Sequence, residues 1–386
     1  MDIDKLSNRA IKEMLSIKPT TPAVTIYLPT HRSAAPSCIS EDEIRFKNLH
    51  AKAKALLKVR EDSRQFISEF DNMLNSLAGN LEFWEHQTEG LLICSRPREL
   101  RLFHLPLDCE EYLAVADQFH LASVFGILND LRDYYVLVVA QHSPRLLRGD
   151  FYGLQPAGVE LLSSIKAGLK IDEMDQKNEQ QVSSYGNRQG YNGRGGSKNP
   201  AEEERQRFWR VIDDRINKQA DRNLPLLLAG IESEVSEYRA ASRFPAILGT
   251  HIEGSFSGAN PRDLFPKALE IILKEIINPE HNRIIKEYKE LRGRSPGLVE
   301  RDFATINKAA AEGRIDKLLL SGVRYTTDTI RENIKSVPLV IFPPEESAQA
   351  INEIARIVYG SSGTIVNIEQ THMPVKGAQI LAVMRY

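Results

Sequence analysis

Short apolar runs of strand composition alternate with segments of helical periodicity along this chain, and that alternation restricts it to layered α/β architectures. Tyr134-Tyr135-Val136-Leu137-Val138-Val139-Ala140 reads as a buried strand, Gln141-His142-Ser143-Pro144 as a turn, and residues 145–149 as the returning strand. Residues 224–229 form another apolar strand that ends at Gly230 and leads into a helical stretch. A helix over 261–277, stopped by Asn278-Pro279, closes a predicted middle domain spanning 132–279 as an α/β sandwich.

The flanking regions show the same order. Residues 1–131 predict a mixed α/β domain, with a helix over 5–16 and a strand over 23–28 ended by Pro29. Two amphipathic helices follow between 43 and 77, the first carrying Leu49, Ala53, Leu56 and Leu57 and the second Phe66, Ile67, Phe70, Met73 and Leu74; a hairpin joins 90–95 to 100–105. Residues 280–386 predict a compact α-β-α domain. Its helix containing Phe303, Ile306, Ala309 and Ala310 stops at Gly313, and strands follow at 315–320 and 339–342. Pro343-Pro344 opens a helix with Ala350, Ile351, Ile354, Ile357 and Val358 on one face, and strands at 365–368 and 378–384 end the domain. A length of 386 residues accommodates three such domains.

Composition removes several function classes. With 50 Lys and Arg against 52 Asp and Glu, the net charge of −2 excludes a general polycation. Cys38, Cys94 and Cys109 are an odd count without CxxC spacing, so neither a disulfide framework nor a zinc ribbon is indicated. The nine histidines lack HExxH or HxxEH spacing, and the glycines fit neither GxxxxGK[ST] nor a strand-borne GxGxxG. No metal and no cofactor is implied. The polar, acidic opening lacks the features of a secretory signal, and no run approaches the ~18 apolar residues of a membrane span. The expectation is a cytoplasmic protein without a membrane partner.

Residues 180–199 stand apart. They hold five of the 23 glycines, three basic side chains (Arg188, Arg194 and Lys198) and no acidic one, and their large apolar groups are Val182, Tyr185 and Tyr191. So little apolar surface cannot offset the entropy of ordering the segment. Beyond it, Asn199, Pro200 and Glu202 make a helix start, and Phe208, Val211, Ile212 and Ile216 share a packing face. One reading is a surface loop or linker. The other is an RNA probe, in which Arg and Lys meet phosphates, tyrosines stack on unpaired bases and glycines permit close backbone approach. About 24 residues folded back on themselves reach roughly 40 Å, which suits a narrow channel.

Asn192-Gly193-Arg194-Gly195-Gly196-Ser197, followed by Arg205-Gln206-Arg207-Phe208-Trp209-Arg210, resembles the GRGGQ loop and following helix of the archaeo-eukaryotic class-one peptide-chain release factors. The strand hairpin before it, the LPLLLAG strand after it and the stretch INKAAAEGRIDKLLL at 306–320 extend the resemblance over about 132–386. It implies a C-terminal domain with the fold of kink-turn-binding ribosomal proteins. Residues 1–131 contain neither NIKS nor YxCxxxF, the motifs by which those factors read stop codons. TPAVTIYLPTHR at 21–32 and IRFKNL at 44–49 instead resemble the bacterial archaeo-eukaryotic release factor-like proteins, whose members include ribosome hibernation factors related to Pelota.

The resemblance implies a ribosome-binding translation factor that enters the A site without stop-codon reading. Its partners would be rRNA around the peptidyl transferase centre and a translational GTPase. Arg188, Gln189, Tyr185, Tyr191, Arg194 and Lys198 would contact RNA, and Gly195, Gly196 and Ser197 occupy the positions of the family's catalytic Gly-Gly-Gln. Ser197 cannot donate a side-chain amide, which favours a hibernation or rescue role; Gln189 could replace it if the loop threads differently. Codon-independent peptidyl-tRNA hydrolysis and general RNA binding remain as alternatives. His31-Arg32 and the charged helix over 43–60 are further candidate RNA contacts, set against an ordinary loop and a solvated helix face.

Overall fold

The alternating strands and helices form three sheets in the computed structural model, which describes residues 3–16, 22–32, 35–107, 109, 111–164, 200–322 and 346–386. The chain divides into two compact units: Arg132–Glu275, and Met1–Leu131 together with Ile276–Tyr386. The predicted strand over 339–342 and the Pro343-Pro344 helix start lie outside the described residues.

In the second of these units, one sheet has the order β1 (Asp4–Lys5), β4 (Glu99–Leu105), β3 (Gly90–Arg96), β2 (Ala23–Pro29) and β5 (Tyr112–Ala116). Helix α1 (Asn8–Ser16) connects β1 to the next part of the chain. Strands β2 and β3 are buried along nearly their whole length, which explains their continuous apolar sequence. Helices α2 (Pro36–Val59), α3 (Arg64–Asn75) and α4 (Leu81–Glu85) cover this sheet. The first helix begins earlier than its apolar periodicity suggests, because Pro36 suits the first turn. Phe46, Leu49, Ala53 and Leu57 face the core, whereas Leu56, predicted on the apolar face, is exposed.

The other sheet of this unit has the order β11 (Val299–Glu300), β14 (Ile380–Met384), β12 (Ile315–Gly322) and β13 (Thr364–Glu369). Helix α9 (Asn278–Arg294) packs on it through Ile284, Ile285 and Tyr288. Helix α10 (Phe303–Ala311) ends as its sequence predicts: Gly313 takes φ 68° and its N–H bonds to the Ala310 carbonyl at 2.9 Å. Asn278-Pro279 does not end helical structure. A π turn over Leu273–Ile277 leads into α9, and Pro279 falls in the first turn of α9, where an N–H has no intrahelical partner to lose.

Helix α5 (Ala122–Asp130) lies early in the chain yet packs against β13 and against α11 (Glu346–Gly360). Its residues are nearly all buried, so its hydrophobicity does not resolve into one face. Phe125 stacks on Tyr359 with centroids 4.6 Å apart. Asn367 fits over Gly126, where a Cβ would lie 2.4 Å from its side chain, and donates to the Ser123 carbonyl at 3.0 Å. At the start of α5, Leu121 supplies no side-chain cap. Buried Asn352 of α11 does so instead: its Oδ1 accepts from the Leu121 and Ala122 N–H groups at 2.7 and 3.1 Å, and its Nδ2 donates to the Phe119 carbonyl at 2.9 Å. Asp130 and His281, both buried, pair at 2.9 Å between α5 and α9.

The unit Arg132–Glu275 has the sheet order β10 (Ile247–Glu253), β9 (Leu226–Gly230), β6 (Tyr134–Val138), β7 (Arg145–Gly149) and β8 (Leu154–Pro156). Strands β10, β9 and β6 are parallel, and β7 and β8 turn back antiparallel as hairpins. Helix α6 (Pro200–Gln219) and α7 (Glu232–Ala241) pack together over a core of Leu137, Phe208, Trp209, Ile212, Leu228 and Tyr238, and α8 (Pro261–Ile272) completes the unit. Among the described residues, no helix is long and apolar enough to cross a membrane.

Removing the remote cap tests the junction at α5. Asn352→Ala strands two amides and a carbonyl in a buried place, so a loss of about 2 kcal/mol is expected. It should appear as a lower Tm with faster hydrogen exchange at the Leu121 and Ala122 amides, whereas Asn352→Asp, which keeps the acceptor, should lose less.

Candidate functional site

The carboxyl ends of β6, β9 and β10 define one edge of the middle sheet. The chain leaves β6 through β7 and β8 on one side and returns to β9 and β10 on the other, so the strand order reverses between β6 and β9. In open α/β sheets such a reversal opens a crevice at the carboxyl edge. Gly230 closes β9 against β6 tightly enough that a Cβ would lie 2.7 Å from the Val139 carbonyl oxygen.

Both stems of the segment 165–199 are tied to this edge. On the outgoing side, Ser143 N–H bonds to the Ser163 carbonyl at 2.8 Å, and His142 bridges to Ser164. On the incoming side, α6 is fastened to α7, the helix that begins where β9 ends. Arg205 meets Glu237 at 3.0 Å, and the Trp209 indole N–H donates to the same carboxylate at 3.2 Å. Deeper in, the buried Asp213 carboxylate accepts from the Tyr238 hydroxyl at 3.1 Å, from the Arg243 N–H at 2.8 Å and from the Ser242 hydroxyl. Burial pushes the Tyr238 phenol up.

The aromatic and basic run 205–210 is therefore divided. Phe208 and Trp209 are core and Arg205 is paired within the unit, while Arg207 and Arg210 are exposed without a carboxylate partner among the described residues. Periodicity identified Phe208, Ile212 and Ile216 as the packing face; Val211 is only partly buried and Trp209 fully so. Nothing in the sequence marked Asp213 as buried, since its partners come from a helix about 30 residues away.

A cleft of about 200 Å³ opens at the same edge. Val139, Ala140, Gln141 and His142 continue from β6, Ile231 and Glu234 belong to the start of α7, and Gly254–Ser257 follow β10. Arg145 braces the last of these, donating to the Phe256 and Ala259 carbonyls, both at 2.9 Å. Glu234 is half-buried, and among the described residues its one hydrogen bond, from the Gln141 N–H, is long at 3.4 Å. Burial raises its carboxyl pKa above the ordinary value. The sequence signal for this site was a strand ending in Gly230 with acids in the next helical turn, a pattern that ordinary helix starts share.

Tyr185, Arg188, Gln189, Tyr191, Arg194, Gly195, Gly196, Ser197 and Lys198 lie outside the described residues. His31 and Arg32 have partners in their own unit. The His31 backbone N–H and Nδ1 lie 2.8 and 2.7 Å from the two oxygens of buried Asp42, and Arg32 grips Glu89 at 2.7 and 2.6 Å. Among the described residues, no three His, Cys, Asp or Glu side chains gather as a metal site.

Residues 134–274 match the model of bacterial archaeo-eukaryotic release factor family 7, so this unit is similar to that family. No curated protein sequence matches the chain. Among solved structures, the archaeal translation termination factor aRF1 aligns at 10% identity and a TM-score of 0.24, over 99% of each chain. Dom34 of S. cerevisiae, a translation termination-like factor, aligns at 10% identity and 0.35, over 75% of this chain and 72% of its own. Archaeoglobus fulgidus Pelota aligns at 12% and 0.31, over 77% of this chain and 79% of its own. The likeness to that family lies in the match over 134–274.

The shift at Glu234 gives a test of the cleft. Its carboxyl holds a proton more tightly folded than unfolded, so its contribution to stability is full below the ordinary pKa of 4.5 and is lost as pH rises through the higher folded value. Glu234→Gln has no such loss. Urea unfolding at pH 4 and pH 7 should show the variant gaining on the wild type at the higher pH; a pH-independent difference would contradict the burial of this carboxylate.

Proposed function

We propose that this chain is a ribosome-associated translation factor that enters the A site without reading a stop codon and acts in hibernation or rescue. The observation that carries this reading is the family match over 134–274, because it falls on the unit whose carboxyl edge holds both stems of 165–199. The sequence of that segment suits RNA: Arg188, Arg194 and Lys198 meet phosphates, Tyr185 and Tyr191 stack on bases, and Gly195-Gly196 permits close approach. Exposed Arg207 and Arg210 extend the same charge onto α6. The absence of NIKS and YxCxxxF from 1–131 supports codon independence. A translational GTPase as partner of 280–386 is proposed from the resemblance alone.

A second reading is codon-independent peptidyl-tRNA hydrolysis. It is favoured by the retained Gly195-Gly196 pair, since ester hydrolysis at such a site depends on positioned water and backbone dipoles. Ser197 weighs against it, because the family's Gln supplies an amide there and serine does not.

Ribosome pelleting and a release assay separate the two. Charge reversal at Arg188, Arg194 and Lys198 should weaken ribosome binding by about tenfold or more at low salt and flatten the log-log salt slope by roughly 0.7–0.9 for each phosphate no longer neutralised. Stalled ribosome–nascent chain complexes should keep their peptide. Release that vanishes with Gly196→Ala would establish the hydrolase reading instead, and no ribosome association at low salt would overturn both.

A further inference from the structure

The cleft at the carboxyl edge of the middle sheet is chemically unlike the segment that springs from beside it. Among the described residues its lining contains one carboxylate, Glu234, one histidine, His142, which faces that carboxylate, and neither Lys nor Arg. Val139, Ala140, Ile231 and Phe256 supply apolar surface, and Ser255, Ser257 and Gln141 add polar groups. An RNA phosphate would meet like charge at Glu234. A half-buried carboxylate with a single long hydrogen bond among the described residues is an under-satisfied acceptor, and the group that relieves it most is a cationic donor. The Phe256 ring in the wall already attracts a cation, with Lys267 Nζ 5.4 Å from its centroid.

We propose that this cleft binds an alkylammonium or alkylguanidinium group, the cation on Glu234 and its aliphatic stem along Ile231, Ala140 and Phe256. Two sources offer that chemistry: a free polyamine, or a lysine or arginine side chain of a protein partner. Size favours a single chain of a few methylenes over a folded peptide element, since about 200 Å³ is below the ~300–1,000 Å³ of drug-sized sites. The Gly230 approach to Val139 and the Arg145 brace on Phe256 and Ala259 fix the walls from three segments, so the cleft is preformed. The inference concerns recognition in the middle unit and does not depend on the ribosomal reading.

Calorimetric titration of the full chain, without ribosomes, tests it with spermidine, Nα-acetyl-lysine methylamide and a tetralysine peptide. Binding of at least one probe is expected, weakened about tenfold or more by Glu234→Gln, since the cation then loses its charged acceptor. Glu253→Gln, an exposed carboxylate beside the cleft, should leave it unchanged. Ile231→Lys, at an exposed rim position, places an ammonium within reach of Glu234 and should block the probes in a protein that still folds. Tighter binding of spermidine assigns the site to a free polyamine, and tighter binding of a lysine probe to a side chain. No binding of any probe, or equal losses in Glu234→Gln and Glu253→Gln, overturns the proposal. So does unaltered binding in both Glu234→Gln and Ile231→Lys.

Discussion

The parallel pairing of β6 with β9 governs the middle unit. Parallel neighbours cannot be joined by a tight turn; the chain must travel from the carboxyl end of one strand to the amino end of the next. Here α6 makes that return, so its own start lies at the carboxyl edge. The connection between β6 and β9 could lengthen by residues 165–199 without disturbing the sheet, because both stems are hydrogen-bonded before and after them. The tight approach of Gly230 to Val139 belongs to the same geometry, since a side chain there would wedge the two strand ends apart.

Buried polar groups then decide which helix goes where. Apolar surface holds α6 on the sheet through Trp209 and Ile212, but such burial is tolerant of small shifts along the helix axis. Asp213 is not: three donors converge on its carboxylate from one turn at the end of α7, and moving it would leave a charge without partners in the interior. Asn352 does the same for α5, satisfying amides that the helix's own N-cap residue leaves open. In both places a polar side chain from a distant part of the sequence completes a local element.

That dependence explains what could and could not be read from the sequence. The strands at 134–140, 224–229 and 90–95 were legible because burial on both faces leaves a continuous apolar signature. Gly313 was legible as a helix stop because only a residue free to adopt positive φ ends a helix in that way. Pro279 misled, since a proline that breaks a helix and one that starts the next look alike in sequence. The packing of α5 against β13 was invisible: its partners lie more than 200 residues away, and its all-round burial removes the periodicity that would reveal a face. The Glu234 cleft was equally hidden, because it is assembled from three strand ends that only the sheet order brings together.

Charge shows the same limit and its physical reason. Residues 44–60 contain six basic side chains and no acid, so in sequence they form the most cationic helical stretch of the chain. In the fold, Arg45 is paired with Glu41, Lys47 with Glu43 at 2.6 Å, Lys54 with Asp71 at 2.5 Å and Arg60 with Asp62 and Asp117 at 2.9 and 2.7 Å. Exposed pairs of this kind add little stability, about 0–1 kcal/mol each. Their larger effect is on the field, which neighbouring carboxylates largely cancel at distances a phosphate would sense. Lys52 and Lys58 of α2, and Arg207 and Arg210 of α6, are exposed without a carboxylate pair among the described residues, although α6 opens with Glu202 and Glu203. A cationic run attracts RNA only in so far as the fold leaves it uncompensated. By that criterion Lys52 and Lys58 of α2 stand alongside Arg207 and Arg210 of α6 as the described part of an RNA-facing surface in the proposed function.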